Sequence, residues 1–131
     1  MRRSDQRRDA AVALYQRDVT NRSLDELLTG AKPFTAELAR GADDHLTEID
    51  AEIGANAHGW TIQRIAPLER AIMRIAVFEI HHRPEIPAAV SIDEAVSATK
   101  RYCGAEAPAF VNGILSAIAR EVGAEAEEAP A

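Results

Sequence analysis

Four arginines lie in the first eight positions of the chain, and their guanidinium groups are suited to binding phosphate. They are Arg2, Arg3, Arg7 and Arg8. The whole chain has 15 basic and 21 acidic residues and a formal net charge of −6, yet the segment up to Arg22 has six arginines against three aspartates and carries +3. A guanidinium group can donate two parallel hydrogen bonds to a phosphate and can stack on a base. The cluster predicts contact with nucleic acid; the alternative is an exposed terminus that only aids solubility.

A second group of chemically capable residues is Glu79 with His81 and His82. An imidazole and a carboxylate can act as acid and base or as metal ligands. Adjacent histidines on a helix point about 100° apart, so these two do not readily share one metal ion. The single Cys103 has no second cysteine for a disulfide or a zinc site and is expected to be a small buried side chain. We therefore expect no enzyme activity, no metal site and no cofactor.

The composition indicates one helical domain. Of 131 residues, 47% are hydrophobic and only 5% aromatic, which suits a core of packed aliphatic helices. No run of about eighteen apolar residues is present, and the arginine-rich start is not followed by the apolar segment of a signal peptide. We expect a soluble, cytoplasmic chain without a membrane partner.

Apolar residues recur at helical spacing and hardly anywhere alternate as in strands, so the fold class is predicted to be all-α. The first helix is expected from about Ser4 to Val19, with an apolar face beside a cationic edge. A short helix should follow, with a capping box from Ser23 to Glu26. Pro33 can open a third helix, expected to reach about Ile53 with a bend at Gly41.

The sequence GANAHGW at 54–60 is expected to separate two subdomains, 1–57 and 58–123. Pro67 then begins a helix whose apolar residues cover nearly its whole circumference, which is typical of a central core helix. Glu79 is the exception on that helix, because an unpaired buried carboxylate is costly. Either Arg83 or a histidine pairs with it, or that face is exposed for a partner.

The last third of the chain should contain two more helices. Ser91 is expected to cap the first of them, with Glu94 completing a capping box. The second should begin near Pro108, and Gly113 within it suggests close approach of another backbone or a ligand. Residues 124–131 lack hydrophobic anchors and are predicted to form a disordered acidic tail.

Four segments of the chain carry a family resemblance: RRDAAVALYQRDV, LERAIMRIAVFEI, RPEIPAAVSIDEAVSATKRY and FVNGIL. Together, and in this order, they resemble the family of the transcription antitermination factor NusB. The resemblance implies a compact domain of about six to seven helices in two stacked three-helix subdomains. It further implies a non-catalytic, RNA-binding factor that binds boxA of ribosomal RNA leader transcripts together with ribosomal protein NusE. The complex would join the RNA polymerase elongation complex and help it resist termination.

The resemblance also implies which residues bind. The arginine-rich first helix would contact RNA, with Tyr15 nearby, and Phe110 and Asn112 of the FVNG segment would adjoin that surface. Glu69 and Glu79 become the candidates for contact with NusE. Aromatic side chains that could stack on bases are Tyr15, Trp60, Tyr102 and Phe110.

One departure from the family weakens the RNA prediction. Asp5 and Asp9 interleave the arginines and dilute the cationic run. We therefore expect weak RNA binding by the chain alone and stronger binding with NusE. The alternative function is a purely protein-binding helical adaptor, or a homodimer, without RNA binding.

Overall fold

The computed structural model describes residues 2–128, and the side chains of residues 2–125. In this part of the chain there are seven α-helices, one 3-10 turn at Ile62–Arg64 and no β-strand. The helices are α1 Arg3–Thr20, α2 Leu24–Leu27, α3 Pro33–Asp44, α4 Leu46–Asn56, α5 Pro67–His82, α6 Ala88–Tyr102 and α7 Ala107–Glu128. The all-α prediction is confirmed.

Local sequence signals set several helix boundaries. α1 ends at Asn21, which has a left-handed φ of 58° and donates its backbone N–H to the Arg17 carbonyl. Ser23 begins α2, since its hydroxyl accepts a hydrogen bond from the Glu26 backbone N–H at 3.2 Å. Pro33 and Pro67 occupy the first turns of α3 and α5, where a missing N–H is harmless.

α5 is the centre of the fold. Residues 71–80 are all buried, and the helix packs against α1, α3, α4, α6 and α7. Met73 and Val77 on α5 and Leu115 on α7 are fully buried in one cluster with side chains from α1, α3 and α4. The helices on both sides of the 54–60 segment therefore share a core, and their grouping into two subdomains stays a prediction.

The break between α3 and α4 differs from the prediction. It falls at His45, not at Gly41. Gly41 instead lets α3 approach α5, because a Cβ atom added there would lie 2.2 Å from the ring of Phe78. The glycine is therefore required by the packing of α3 on α5, and the neighbouring sequence gives no sign of this contact.

The predicted second capping box is wrong. α6 begins at Ala88, directly after Pro87, so Ser91 lies inside the helix. Its buried hydroxyl donates to a carboxylate oxygen of Glu79 at 3.3 Å. Glu94 does not cap the helix either, and accepts a hydrogen bond from the Ser4 hydroxyl at 2.8 Å.

α7 also differs from expectation at two points. A Cβ atom at Gly113 would meet nothing within 4 Å, so the predicted close approach of another backbone is wrong, while approach of a ligand stays a prediction. The helix continues to Glu128, which makes the expected tail helical from 124 to 128, and residues 129–131 lie outside the described part. Across residues 2–128, none of the helices has both the length and the apolar character that crossing a membrane requires.

Candidate functional site

Three of the four N-terminal arginines lie at the surface of α1. The Arg2 side chain is 82% exposed, with its Nε atom 3.5 Å from Asp5. Arg3 is exposed and its guanidinium lies 4.3 Å from the centre of the Phe34 ring. Arg8 is partly exposed and also contacts Asp5, at 3.3 Å. These three side chains remain available to a ligand.

Asp5 and Asp9 of α1 pair with N-terminal arginines close to them in sequence. Asp9 lies 3.1 Å from the Arg8 guanidinium, and this hydrogen bond is the main cause that raises the pKa of Arg8. Exposed pairs of this kind contribute only a few tenths of a kcal/mol. A phosphate group can therefore displace Asp5 and Asp9 at small cost, although it must compete with them.

Arg7 is withdrawn from the surface. Its side chain is 10% exposed, and its Nε donates to both carboxylate oxygens of Glu79 at 2.8 Å. A terminal nitrogen of the same guanidinium lies 3.7 Å from Glu94. With the hydroxyls of Ser91 and Ser4, which donate to Glu79 and Glu94, these groups form a polar cluster that joins α1, α5 and α6.

Two predicted contacts are corrected by this cluster. Arg7 is not a free phosphate donor, because Glu79 occupies its guanidinium. Glu79 is 1% exposed, so it offers no surface to NusE, and its partner is neither Arg83 nor a histidine. Arg83 contacts Glu37 and Glu85 instead. The pairing was hidden from sequence analysis because Arg7 and Glu79 are separated by 72 positions.

The other predicted site residues differ in how far they are exposed. Tyr15 is partly buried against the core. Phe110 is also partly buried and meets the 52% exposed Trp60 edge-on, with ring centres 6.1 Å apart. Asn112 is exposed on α7. Glu69 is half-buried, and burial raises the pKa of its carboxyl group.

An open groove of about 220 Å³ runs between α1 and α6, with α5 as its floor. The apolar lining comes from all three helices and consists of Ala11 of α1, Ala95 of α6, and Leu68, Ile72, Ile75 and Ala76 of α5. Arg8 of α1 and Arg2, which directly precedes α1, line one side, and Arg101 and Tyr102 of α6 line the groove as well. The groove thus combines an apolar floor with guanidinium groups contributed by two helices. We call it the α1–α6 groove.

The contacts predicted from the sequence do not include Arg101 and Tyr102, although Tyr102 is one of the rings that could stack on a base. The Tyr102 side chain is 44% exposed, and the Arg101 guanidinium lies 5.4 Å from its ring centre. The pKa of Arg8 is raised mainly by its hydrogen bond to Asp9. Burial acts in the opposite direction, and a hydrogen bond to Tyr102 raises the pKa further. In the sequence, the adjacent Lys100, Arg101 and Tyr102 are the feature that could have indicated this contact. Basic residues in the last turn of a helix are also explained by the helix dipole, so the feature is not specific for binding.

Three of the four histidines, His45, His81 and His82, lie together at the end of α5. The ring of His82 stacks on His45 at 4.2 Å and on Phe78 at 5.0 Å between ring centres. Burial lowers the pKa of His82, and its neighbours His45 and His81 lower it further. His81 lies 2.6 Å from Glu52 through its Nε2 atom. In the described part of the chain, no three metal-ligating side chains are grouped to hold a metal ion.

Comparison with known proteins identifies the family. The model of the NusB family matches residues 4–120. The chain belongs to the NusB family. "Transcription antitermination protein NusB" from Geobacillus kaustophilus is 39% identical over 124 residues, which cover 90% of this chain and 95% of that protein. The resemblance found in the sequence is therefore confirmed.

Solved NusB structures share the fold. NusB of T. maritima superposes with a TM-score of 0.86 at 30% identity, over 92% of each chain. A chain in a crystal structure of antitermination factors NusB and NusE in complex with dsRNA superposes with a TM-score of 0.81 at 27% identity. That match covers 91% of this chain and 96% of the other. The helical architecture is thus that of NusB proteins.

Proposed function

We propose that this chain is a transcription antitermination factor that binds RNA together with ribosomal protein NusE. Membership of the NusB family supports the proposal, as do the name of the Geobacillus relative and the complex of another NusB with NusE and dsRNA. The observation on this molecule that carries it is the exposed guanidinium surface of Arg2, Arg3 and Arg8 on α1.

In finer terms, the RNA is the boxA segment of ribosomal RNA leader transcripts, and the complex acts on RNA polymerase in the cytoplasm without catalysis. Exposed guanidinium groups would hold phosphates, and Phe110 and Asn112 stay proposed contacts on α7. The acidic remainder of the chain suits a basic ribosomal protein. Since Glu79 is buried, Glu69 is the remaining proposed contact for NusE.

One observation favours the alternative, a helical adaptor or homodimer that binds protein only. Arg7 is paired with Glu79, and Arg2 and Arg8 both lie beside Asp5. Acids of the chain itself therefore take up much of the cationic charge on α1, and that charge need not serve RNA.

Binding of labelled boxA RNA tests the proposal. The native chain and Arg3→Ala/Arg8→Ala would be compared with and without NusE at two salt concentrations. We expect NusE to strengthen native binding, salt to weaken it, and the variant to bind less tightly with a salt slope smaller by about two, one for each lost phosphate contact.

Arg64→Ala/Arg120→Ala is the matched control, because it removes two exposed arginines that lie outside α1. It should bind RNA like the native chain. Equal RNA affinity of Arg3→Ala/Arg8→Ala and the native chain would assign the α1 arginines to solubility. Binding of NusE with no RNA binding under any condition would support the adaptor.

A further inference from the structure

The end of α6 carries a cation and an aromatic ring that the proposed function has not used. Among the residues that the structure describes, Arg101 forms no ion pair with an acid, and its guanidinium lies 5.4 Å from the ring centre of Tyr102. That ring remains 44% exposed. Both side chains line the α1–α6 groove together with Arg2 and Arg8.

We propose that Arg101 and Tyr102 form a nucleotide contact, in which one RNA base stacks on Tyr102 while Arg101 holds an adjoining phosphate from the α6 side of the groove. Single-stranded RNA is recognised by this combination of stacking rings and cations along the backbone. The inference rests on the proposed function and extends its RNA surface from α1 across the groove to α6.

The charged side chains around the α1–α6 groove favour RNA as its ligand. Arg2, Arg8 and Arg101 lie around one groove, and two of its acids, Glu79 and Glu94, are already engaged by Arg7. Asp5 is the remaining acid on α1 there, and it is shared between two arginines. Arg8 is also paired with Asp9 at the surface, whereas Arg101 has no acid partner among the described residues. An unpaired guanidinium on the groove suits a phosphate of RNA.

Arg101 can supply the phosphate contact that was predicted for Arg7. The guanidinium of Arg7 is bound to Glu79 inside the molecule, so it adds no phosphate contact. Arg101 lies on the neighbouring helix and faces the same groove. The RNA surface thus contains a cation far from the N-terminal cluster in sequence.

Stabilisation of α6 alone explains the position of Arg101 less fully than RNA binding does. Lys100 and Arg101 lie in the last turn of α6, where cations suit the helix dipole. That effect requires neither an exposed aromatic ring beside Arg101 nor a position on a groove with Arg2 and Arg8. A measurement of RNA affinity, with stability as a separate readout, distinguishes the two roles.

The test uses the full chain and single-stranded boxA RNA that contains a fluorescent base analogue, with and without NusE. We expect Arg101→Gln to weaken binding and to reduce the salt slope by about one. Tyr102→Leu should weaken binding by about 5- to 150-fold and abolish the quenching that stacking causes, whereas Tyr102→Phe should stay within about twofold of native.

Arg120→Gln removes an exposed arginine of α7 and is the matched control, expected to leave RNA affinity unchanged. Thermal unfolding of each variant checks the fold; if Tyr102→Leu unfolds, Arg101→Gln and its salt slope decide. Native affinity in both Arg101→Gln and Tyr102→Leu would overturn the inference and leave the proposed function intact.

Two further outcomes are also decisive. If the native chain binds no RNA even with NusE, the proposed function fails and the inference fails with it. If Arg101→Gln and Tyr102→Leu lose affinity for NusE in the absence of RNA while their RNA binding stays native, the groove is a protein site and the inference is overturned.

Discussion

The guanidinium of Arg7 and the carboxylate of Glu79 meet where solvent hardly reaches either. Replacing Arg7 by Met would leave a buried carboxylate whose remaining hydrogen-bond donor is Ser91. Such a change typically costs about 3–5 kcal/mol. We therefore expect Arg7→Met to lower the free energy of unfolding by that order, measured by urea denaturation.

Arg8→Met is the control for this prediction, since Arg8 pairs with acids at the surface and should lose no more than about 1 kcal/mol. Replacing both partners, as in Arg7→Met/Glu79→Leu, should restore much of the loss because no unpaired charge remains. Equal stability of Arg7→Met and Arg8→Met would contradict the structural role assigned to the pair.

His82 makes stability depend on pH. Burial first, and then His45 and His81, lower its pKa below the ordinary value of about 6.5. The unfolded chain therefore takes up this proton more readily than the folded one. The contribution to stability is present above about pH 6.5 and is lost as the pH falls through the lowered, folded-state pKa.

His82→Phe removes this titration and keeps an aromatic ring beside Phe78. Between about pH 7.5 and pH 5.5 the free energy of unfolding should therefore decrease less in this variant than in the native chain. Chemical denaturation across that range measures the difference. His58→Gln replaces an exposed histidine as a control and should retain the native pH dependence; an equally steep decrease in His82→Phe would refute the assignment.

At the level of the helices, the approach of α3 to α5 depends on Gly41. Alanine favours a helix over glycine by about 1 kcal/mol, but a Cβ atom at Gly41 would lie 2.2–2.7 Å from three atoms of the Phe78 ring. Overpacking of this kind typically costs about 1–3 kcal/mol. We expect Gly41→Ala to be destabilised in thermal unfolding.

Gly113→Ala provides the opposite result within the same fold. A Cβ atom there meets nothing within 4 Å, so the gain in helix propensity should appear as a stabilisation of about 0.5–1 kcal/mol. If both alanine variants stabilise the protein, the contact between Gly41 and Phe78 does not limit the packing of α3 on α5.

Sequence periodicity predicts the helices well and the roles of single residues poorly. The apolar circumference of α5 is a property of the segment itself, and it correctly indicated a central helix. The capping role predicted for Ser91 and the backbone approach predicted for Gly113 are wrong because both depend on neighbours from other helices: Ser91 faces Glu79, while no protein atom lies close to Gly113. Local signals such as Ser23 and Pro67 were interpreted correctly because their partners lie within the same turn.

For the molecule as a whole, ion pairs between distant segments hold α5 to its neighbours. Besides the pair of Arg7 and Glu79, the buried Arg74 donates to Asp50 of α4 at 2.7 and 2.8 Å and to Asp18 of α1 at 2.7 Å. No periodicity reveals these partners, since they lie 24 and 56 positions away. The sequence predicts the arginines at and next to α1 as part of the candidate site. The burial of Arg7 and the addition of Arg101 and Tyr102 are visible only in the folded structure.

The same connectivity governs how the chain folds while it is being synthesised. Arg7 meets Glu79 across 72 positions. At roughly 5–20 residues per second, a ribosome needs about 4–14 s to add that length of chain. During those seconds α1 can pack against α2 and α3, but it lacks α5, and Arg7 has no Glu79 to pair with. The contacts of the first helix are therefore completed only after α5 has left the ribosome.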